Sequence, residues 1–479
     1  MVELKKLLKN ITYFSKSNID NINIVQLTHN SRETQKGSLF IALKGYKTNG
    51  NSYINEAINK GAVAILSDVK NVNYPIPYIK VNNARECMSK ISSNFYSYDP
   101  SKMNLIGITG TNGKTSICHI ISDILTNIKI NNFTLGTLGL ISSKGVLKTN
   151  FTTPESNQIH KFLKVMKMND ITTGIMEVSS HSLELNRVDD IEFDVGVFSN
   201  LSSEHLDFHK NMNLYFQSKL KLFKKLNSSK NAIINIDDKY SNEIIKHTKS
   251  KIIKYSLDQN TDISVRGYTC NSSGITAQIK IYENEYSIET NLIGKYNLMN
   301  LLASIGACLA MGLSESEIIK SINKIRTIPG RLEMIKLNQN KKVYFDYAHT
   351  PDAYKNILST LKSISSKKII TLFGCGGNRD KSKRAKMASI AEEFSDFTFV
   401  TSDNPRNEDL LKINNDIILG FKNKNFKIIN DRKNAIKVAI SMMTDNHILV
   451  ILGKGRERYE IIKNKKYYHS DIEEVLKYS

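Results

Sequence analysis

The sequence predicts an α/β protein of three domains. Its 479 residues are more than one hydrophobic core usually organises. Apolar runs that suit strands alternate with helical segments, which is typical of mostly parallel sheets with crossover helices. We predict a small N-terminal α/β domain over residues 1–98, a central domain with a mostly parallel sheet over 99–328, and a Rossmann-like C-terminal α/β domain over 329–479.

The first predicted domain consists of short strands and helices. "SLFIALKG" is a strand candidate, and in "YINEAINKGAVAILSD" a helix ends at Gly61 before a buried strand. "NFYSYDPSKMN" then groups polar residues around Pro100, which predicts a linker to the central domain.

The central domain repeats one pattern, in which an apolar run ends in polar or glycine residues. Examples are "MNLIGITG", "TTGIMEVSS", "FDVGVFSN" and "NAIINIDD". The segment "DISVRGYTCNSSGITAQIKIYENEYSIETNLIG" instead predicts antiparallel strands with a turn at "NSSG". The central sheet is therefore expected to be parallel with an antiparallel extension.

Three strand candidates of the last domain end in glycine-rich or charged loops. They are "KKIITLFGCGGNRD", "DFTFVTSDNPRNED" and "HILVILGKGRERYE". Ligands of open parallel sheets bind beyond the carboxyl ends of the strands, so these loops predict a second binding face.

Composition narrows the classes of partner. The net charge of +21 suits nucleic acid, an anionic membrane or acidic small molecules. The basic residues are spread out, with no basic block and no arginine–aromatic interleaving, so we predict no nucleic-acid partner. Five cysteines without a CxxC pair disfavour a disulfide framework and a zinc site. Without a signal-like start or a long apolar run, we expect a cytoplasmic protein with no membrane partner.

The stretch "LIGITGTNGKTS" predicts a phosphate-binding loop. A strand, a glycine loop and the N-terminus of a helix over Thr115–Ile128 together form an anion site, with a lysine for the terminal phosphate and a hydroxyl for Mg²⁺. The spacing is a variant, because Ile108 occupies the position of the usual first glycine. ATP is the expected ligand, and the residues that hold it are Gly110, Thr111, Asn112, Gly113, Lys114, Thr115 and Ser116.

The phosphate loop and several other motifs resemble the Mur ligase family over nearly the whole chain. These motifs are "LTHNSRETQKGSLFIALKG", "NFTTPE", "MEVSSHSLELNRV", "NLSSEHLDFHKNMNLYFQSKLKLF", "GKYNLMN" and "FDYAHTPDA". The likeness is greatest to the members that add the third residue of the peptidoglycan stem peptide. It implies an ATP-dependent ligase that activates the γ-carboxylate of D-glutamate in UDP-N-acetylmuramoyl-L-alanyl-D-glutamate as an acyl phosphate. Such an enzyme serves cytoplasmic peptidoglycan precursor synthesis, and through the cell wall it affects cell shape and division.

The resemblance assigns residues to roles. It implies a uridine-binding N-terminal domain and a sugar–peptide site made of Leu27, His29, Ser31, Asn150, Thr152, Thr153, Ser179 and Arg187. It places adenine at Asn297 and Asn300, phosphate at Arg331, ribose at Asp346, and adds His349 to the ATP site. The implied Mg²⁺ ligands are Thr115, Glu177, His205 and a carbamylated Lys219, its carbamate derived from carbon dioxide, and the implied catalytic groups are Lys114, Glu177, His205 and Lys219.

The last-domain loops are expected to select the amino acid. "DNPR" is similar to the signature of the members that add meso-diaminopimelate, whose second amino acid head carries a carboxylate that an arginine can grip with two hydrogen bonds. The implied pocket consists of Arg379, Asp403, Asn404, Pro405, Arg406, Gly453 and Glu457. Arg456 and Leu185 depart from the family pattern, in which histidine and a sugar-contacting glutamine are frequent.

Several alternatives remain open at this stage. The acceptor could be L-lysine or another amino acid, or the chain could resemble folylpolyglutamate synthases or the D-alanyl-D-alanine-adding members. A different class is a P-loop nucleic-acid-binding ATPase, and a further one is a non-catalytic nucleotide-binding protein. We expect a monomer in which residues 327–331 act as the hinge of domain closure.

Overall fold

A computed structural model describes residues 1–45, 48–70, 73–149, 151–338, 341–463 and 465–478. It contains three principal sheets, one in each predicted domain, with hydrophobic clusters packed on both faces of the central and C-terminal sheets. The predicted three-domain α/β architecture is confirmed. None of the helices in the described ranges is long and apolar enough to cross a bilayer.

The N-terminal sheet has five strands, of which the last four are parallel. Their order across the sheet is Tyr13–Phe14, Tyr78–Val81, Ala62–Ser67, Ser38–Ala42 and Gln26–Thr28. The short strands Val2–Glu3 and Asn23–Ile24 pair separately. The α-helices are Leu4–Leu7, Ile54–Asn59 and Ala84–Tyr96, and 3₁₀ turns lie at Ser31–Glu33 and Gly50–Tyr53.

The central sheet has eleven strands. A parallel core runs from Asn132–Gly136 to Ile263–Asn271, and antiparallel strands extend both edges. Its order is Gly145–Leu147, Gly139–Ser142, Asn132–Gly136, Thr173–Glu177, Asn104–Thr109, Val195–Phe198, Asn231–Asn235, Lys251–Ser256, Ile263–Asn271, Gly274–Ile281 and Asn284–Thr290. The antiparallel extension predicted around "NSSG" is therefore confirmed.

Helices cover both faces of this sheet, which explains why its core strands are continuous apolar runs. Where Phe193 packs on the strand Asn104–Thr109, only glycine fits, because a Cβ at Gly107 would lie 2.9 Å from the ring. The α-helices are Lys114–Asn127, Ser156–Met168, Ser180–Glu184, Leu206–His209, Met212–Lys225, Ser241–His247, Lys295–Ala310 and Glu315–Ile322, with a 3₁₀ turn at Pro100–Lys102.

The C-terminal sheet has six strands, and all neighbouring pairs except the first are parallel. Its order is Glu333–Lys336, Lys342–Asp346, His447–Leu452, Lys368–Phe373, Phe397–Val400 and Phe426–Ile428. The helices are Pro351–Ile364, Lys383–Phe394, Leu410–Ile418, Arg432–Met442 and Asp471–Leu476, and a separate hairpin joins Tyr459–Ile462 to Lys465–Tyr468.

Candidate active site

The phosphate loop, residues 110–113, connects the strand Asn104–Thr109 to the helix Lys114–Asn127. Gly113 has a φ of 88°, and a Cβ there would lie 2.4 Å from Oδ1 of Asn300, so glycine is required on both counts. Nζ of Lys114 donates to the carbonyls of Gly110 at 2.8 Å and Thr111 at 2.7 Å. Burial lowers the pKa of Lys114. The predicted strand, loop and helix are therefore present, with the lysine folded over the loop.

Glu177 ends the strand that pairs in parallel with the phosphate-loop strand. Its Oε1 accepts hydrogen bonds from Oγ1 of Thr115 at 2.9 Å and from the backbone N–H of Thr137 at 2.8 Å. The Thr137 hydroxyl donates to Oε2 at 3.2 Å. The carboxylate and the Thr115 hydroxyl thus form a buried oxygen pair at the edge of the phosphate loop.

Arg331, which lies just before the first strand of the C-terminal sheet, contacts the Thr115 hydroxyl of this pair. Its Nη2 donates to Oγ1 of Thr115 at 2.8 Å, and its guanidinium carbon lies 4.9 Å from the centre of the Tyr347 ring. Asp346 holds the adjoining backbone, because its carboxylate accepts from the N–H groups of Leu332 at 2.6 Å and Ala348 at 2.7 Å. Burial raises the pKa of Asp346.

A second contact joins Glu204, in the loop after the strand Val195–Phe198, to His349, in the loop after the strand Lys342–Asp346. Oε1 of Glu204 lies 2.7 Å from Nε2 of His349, and Oε2 lies 3.5 Å from Nε2 of His205. Burial opposes the charged form of Glu204, but the hydrogen bond with His349 and the charge of Lys114 help to hold its pKa well below the ordinary value. Burial lowers the pKa of His205 to about 3, so this imidazole is neutral at physiological pH.

Lys219 points inward from the helix Met212–Lys225 and is fully buried. Its Nζ donates to the Gly110 carbonyl at 2.7 Å and lies 4.5 Å from the centre of the Tyr215 ring. Burial, and then the charge of Lys114, hold the pKa of Lys219 well below its ordinary value. A neutral amine is the form that reacts as a nucleophile.

Asn297 and Asn300 lie one helical turn apart, as their spacing predicts. Nδ2 of Asn300 donates to Oδ1 of Asn297 at 3.1 Å, and Nδ2 of Asn297 donates to the Ile293 carbonyl at 2.9 Å. Asn300 borders the phosphate loop at Gly113, and Asn297 holds the Asn300 side chain by accepting its hydrogen bond.

The central-domain residues predicted for the sugar–peptide site cluster around the loop that precedes the helix Ser156–Met168. Oγ1 of Thr153 donates to the Glu177 carbonyl at 2.7 Å, and Nη1 of Arg187 donates to the Thr153 carbonyl at 2.9 Å. Nη2 of Arg187 lies 2.7 Å from Glu155. Asn150 lies outside the described residues. Thr152 and Ser179 flank Thr153, with hydroxyls 3.2 Å from those of Thr137 and Thr153 respectively.

The N-terminal candidates lie next to this cluster. Asn157 donates to the Leu27 carbonyl at 3.4 Å, which joins the first sheet to the central domain. The Ser31 hydroxyl donates to Glu56 at 2.9 Å. Burial lowers the pKa of His29.

Three loops at the carboxyl ends of the C-terminal strands form the other side of the site. They are residues 374–379, 401–407 and 453–457, and they are called the acceptor loops after the role that the sequence predicts for them. Nη1 of Arg406 donates to the Gly377 carbonyl at 2.8 Å, and Nδ2 of Asn404 donates to Oε2 of Glu457 at 3.0 Å. The 401–407 and 453–457 loops approach each other closely, because Oδ2 of Asp403 lies 2.6 Å from where a Cβ of Gly453 would be. Burial and Asp403 raise the pKa of Glu457, and burial lowers that of Arg406.

Arg456, a departure from the family pattern, links an acceptor loop to the Arg331 segment. Its Nε donates to Oε2 of Glu333 at 2.8 Å, and its Nη2 contacts the other carboxylate oxygen. Oε2 of Glu333 also accepts the N–H of Gly330 at 2.8 Å. The arginine thus fixes this loop against the residue that precedes Arg331.

One cavity of about 850 Å³ connects the phosphate loop to the acceptor loops. Among the predicted residues, its lining includes Thr111, Asn112, Gly113, Lys114, Thr115, Ser116, Thr152, Glu177, Ser179, His205, Lys219, Asn300, Arg331, Asp346, His349, Arg379, Asp403, Asn404, Arg406, Gly453 and Glu457. The described lining does not include Leu27, His29, Ser31, Gly110, Thr153, Arg187, Asn297 or Pro405.

Comparison with known proteins finds relatives along the whole chain. Three family models match: "Mur ligase family, catalytic domain" at residues 23–96, "Mur ligase middle domain" at 108–308, and "Mur ligase, glutamate ligase domain" at 330–455. A UDP-N-acetylmuramoyl-L-alanyl-D-glutamate–2,6-diaminopimelate ligase from Clostridium tetani is 38% identical over 99% of both chains. The chain belongs to the Mur ligase family. A ligase of the same name from Clostridioides difficile is 38% identical over 95% of this chain and 94% of its own.

Solved structures of Mur ligases have the same fold. A structure of a UDP-N-acetylmuramoyl-L-alanyl-D-glutamate–2,6-diaminopimelate ligase covers 99% of this chain and 98% of its own, at 29% identity and a TM-score of 0.69. MurF ligase from Thermotoga maritima, in complex with ADP, covers 96% of this chain and 97% of its own, at 17% identity and a TM-score of 0.66. The second likeness concerns the fold alone.

In this Mur ligase, the structure also identifies cavity residues that motif reading missed. They are Thr137, which bonds Glu177, Glu204, which bonds His349, and Tyr347, which packs on Arg331. Glu204 directly precedes His205 in "SSEHLD", which is the only signal the sequence offered for it. Nothing in the sequence around Thr137 or Tyr347 indicates a functional role, and only their contacts in the folded protein identify them as site residues.

Proposed function

We propose that this protein is the MurE-type, ATP-dependent ligase that adds meso-diaminopimelate to the D-glutamate of UDP-N-acetylmuramoyl-L-alanyl-D-glutamate. The observation that carries the proposal is the single cavity that connects the phosphate loop to the acceptor loops. Phosphoryl transfer and amide formation can follow each other there without release of an intermediate. The names of the relatives from Clostridium tetani and Clostridioides difficile support the same reaction.

The proposed reaction has two steps. An oxygen of the D-glutamate γ-carboxylate attacks the γ-phosphorus of ATP, and the bond to the β–γ bridging oxygen breaks to give an acyl phosphate and ADP. The neutral amine of the acceptor then attacks the acyl carbon, a tetrahedral intermediate forms and loses a proton, and inorganic phosphate leaves. Positioning and neutralisation of phosphate charge supply most of the catalysis in such transfers.

The chain's cations suit the first step. Lys114 lies over the phosphate loop, and Arg331 contacts the loop-side hydroxyl of Thr115. Both can neutralise charge that develops on the transferred phosphoryl group. We propose that Thr152 and Ser179, which line the cavity, contact the substrate that carries the carboxylate, and that Arg187 supports them from outside the lining through the Thr153 carbonyl.

The residues present fit a magnesium ion beside the phosphates. Thr115 and Glu177 offer a hydroxyl and a carboxylate 2.9 Å apart, and oxygen ligands are those that Mg²⁺ prefers. The described residues contain no group of three His, Cys, Asp or Glu side chains able to hold a metal, which agrees with the usual dependence of Mg²⁺ sites on waters and substrate phosphates. When bound, the ion would screen the phosphate charges.

We also propose that Lys219 is carbamylated and that its carbamate and His205 contribute to a second magnesium site. The described part of the chain offers the Lys219 amine only a carbonyl and an aromatic ring as close partners. The neutral amine can attack carbon dioxide, form the N–C bond and release one proton, which leaves a carbamate. The buried neutral amine would thereby become an anion able to bind Mg²⁺.

The acceptor loops suit an amino acid with two zwitterionic heads. Arg379 and Arg406 offer positive charge for a carboxylate, and Glu457 with Asp403 offers negative charge for an ammonium. L-Lysine lacks the second carboxylate and would leave the arginines without an anionic partner. We therefore propose meso-diaminopimelate as the acceptor, with the pocket formed by Arg379, Asp403, Asn404, Pro405, Arg406, Gly453 and Glu457.

The remaining assignments follow from the same reaction. We propose that residues 1–98 bind the uridine part near Leu27, His29 and Ser31, that 99–328 bind ATP, and that 329–479 bind the amino acid. Asn300, Asp346 and His349 would complete the nucleotide site, with Asn297 in support. We also propose a cytoplasmic monomer without a nucleic-acid partner.

The test is phosphate release by the purified protein with MgATP and the UDP-muramoyl dipeptide, with either meso-diaminopimelate or L-lysine added. Release with meso-diaminopimelate alone, together with the tripeptide product by mass spectrometry, supports the proposal. Release with L-lysine alone would overturn the acceptor assignment. No release with either amino acid would overturn the function.

A further inference from the structure

Arg432 is a fully buried arginine at the start of the helix Arg432–Met442, outside the described lining of the cavity. Its Nη1 donates to the Ser402 carbonyl at 2.9 Å, and its Nη2 donates to the Leu452 carbonyl at 3.0 Å. Ser402 directly precedes Asp403, and Leu452 directly precedes Gly453. One guanidinium therefore bonds the backbone at the bases of two acceptor loops.

Sheet pairing alone does not set the distance between these loops. The strands that lead to them, Phe397–Val400 and His447–Leu452, are separated by the strand Lys368–Phe373. They share no ladder hydrogen bonds. The Arg432 guanidinium bonds both loops across the intervening strand, and its planar geometry fixes the direction of the hydrogen bonds to Ser402 and Leu452.

A buried carboxylate holds the fork in place. Nε and Nη2 of Arg432 each donate to Asp471 at 2.8 Å, one to each carboxylate oxygen. Nε2 of His469 lies 2.7 Å from Oδ1 of the same carboxylate. Burial opposes the charge on Asp471, yet Arg432 and His469 hold its pKa well below the ordinary value. The ion pair is thus charged, oriented and inaccessible to water.

The two loops meet closely enough for their spacing to matter. A Cβ at Gly453 would lie 2.6 Å from Oδ2 of Asp403, and Asn404 bonds Glu457 at 3.0 Å. A small change in loop spacing would therefore separate the groups that face the amino acid, and displacements of this size are costly in enzyme sites.

We propose that Arg432 is a positioning residue for the amino acid acceptor, acting by clamping the 401–407 loop to the 453–457 loop, with Asp471 and His469 as its support. The inference rests on the proposed function for the identity of the acceptor. It adds a role for three residues that touch no substrate.

The test compares Arg432→Lys with Ile436→Ala. Lysine keeps a positive charge near Asp471 but cannot bond both carbonyls with a planar fork. Ile436 is a fully buried core residue of the same helix, so its truncation reports on general loosening of the domain. We expect Arg432→Lys to raise the KM for meso-diaminopimelate about tenfold or more, with the KM values for ATP and the UDP-muramoyl dipeptide within about twofold of wild type. Ile436→Ala should leave all three KM values near wild type.

Amide hydrogen exchange gives a readout that is independent of ligation. In Arg432→Lys, exchange at residues 402–407 and 453–457 should become about tenfold faster, whereas in Ile436→Ala these segments should keep wild-type rates. An unchanged acceptor KM and unchanged exchange in Arg432→Lys would overturn the clamp. The same conclusion follows if Ile436→Ala produces equal changes.

A milder variant covers the case in which Arg432→Lys does not fold. His469→Gln removes one support of Asp471 and leaves both charges of the ion pair. It should shift the same two readouts in the same direction by about threefold, and no shift would overturn the proposal. Absence of any ligation by the wild-type enzyme would overturn the proposed function instead, and hydrogen exchange would still decide the clamp.

Discussion

The guanidinium of Arg331 donates a hydrogen bond to Oγ1 of Thr115 at 2.8 Å, although the two residues lie 216 positions apart. Thr115 in turn donates to Glu177 at 2.9 Å. One hydroxyl oxygen thus joins a residue of the C-terminal part to the end of a central strand. The proposed nucleotide site of this ligase is therefore assembled from both parts of the chain.

Arg331→Ala should lower kcat for phosphate release about a hundredfold, because it removes a preorganised cation at the phosphates. Arg326→Ala is the matched control, since Arg326 lies five positions earlier and its side chain is 80% exposed. Steady-state kinetics with saturating substrates would measure the effect. Equal activity of the two variants would contradict a role for Arg331 in phosphoryl transfer.

Lys219→Arg should abolish carbamate formation and reduce kcat about a hundredfold or more, because arginine stays positively charged and cannot react with carbon dioxide. Lys221→Arg, on the exposed side of the same helix, should behave as wild type. Carbon-13 NMR after incubation with labelled bicarbonate would show a carbamate signal in wild type and Lys221→Arg only. A signal that persists in Lys219→Arg would assign the carbamate elsewhere.

Arg406→Leu should raise the KM for meso-diaminopimelate about a hundredfold, since a charge-assisted pair with the distal carboxylate is lost. L-Lysine lacks that carboxylate, so any residual activity with it should change little. Arg458→Leu provides the control, because Arg458 directly follows the 453–457 loop and its side chain is 61% exposed. A parallel rise for both amino acids would mean that Arg406 only maintains the loop.

His160→Leu should make the free energy of unfolding depend less on pH in the acid range. His160 is fully buried, neither ring nitrogen has a hydrogen-bond partner in the described residues, and burial lowers its pKa from 6.5 to about 3. Below a pH of about 6.5, His160 binds a proton in the unfolded chain but stays neutral in the folded protein. The free energy of unfolding therefore falls as the pH falls toward 3.

At about pH 5 this loss amounts to about 2 kcal/mol for wild type. Urea unfolding at about pH 8 and about pH 5 should therefore show a smaller difference for His160→Leu than for wild type, by about that amount. The same pH dependence in both proteins would show that His160 is protonated in the folded state.

Local patterns predicted much of the fold. The phosphate loop and its flanking elements were readable, because an apolar run, a glycine loop and one-face helical spacing lie next to each other in sequence. The helix runs over Lys114–Asn127, one residue earlier at each end than the spacing of its apolar residues predicted. The antiparallel strands around "NSSG" were readable for the same reason.

Distant contacts could not be predicted in this way. Glu204 and His349 are 145 positions apart, and neither flanking sequence specifies the other. Arg432 would have been read as an exposed residue at a helix start, because only the folded sheet brings the Ser402 and Leu452 carbonyls to it. Motif resemblance supplied Lys219, whose burial depends on the packing of a whole helix.

The Arg456–Glu333 ion pair connects the 453–457 loop, proposed to bind the acceptor, to the segment that carries Arg331, proposed to contact phosphate. Glu333 holds both Arg456 of the 453–457 loop and the N–H of Gly330, the residue before Arg331. The loop therefore cannot swing away without pulling on the arginine that touches Thr115. A small molecule that wedges this loop open would withdraw Arg331 as well, and would inhibit the enzyme without competing for the nucleotide pocket.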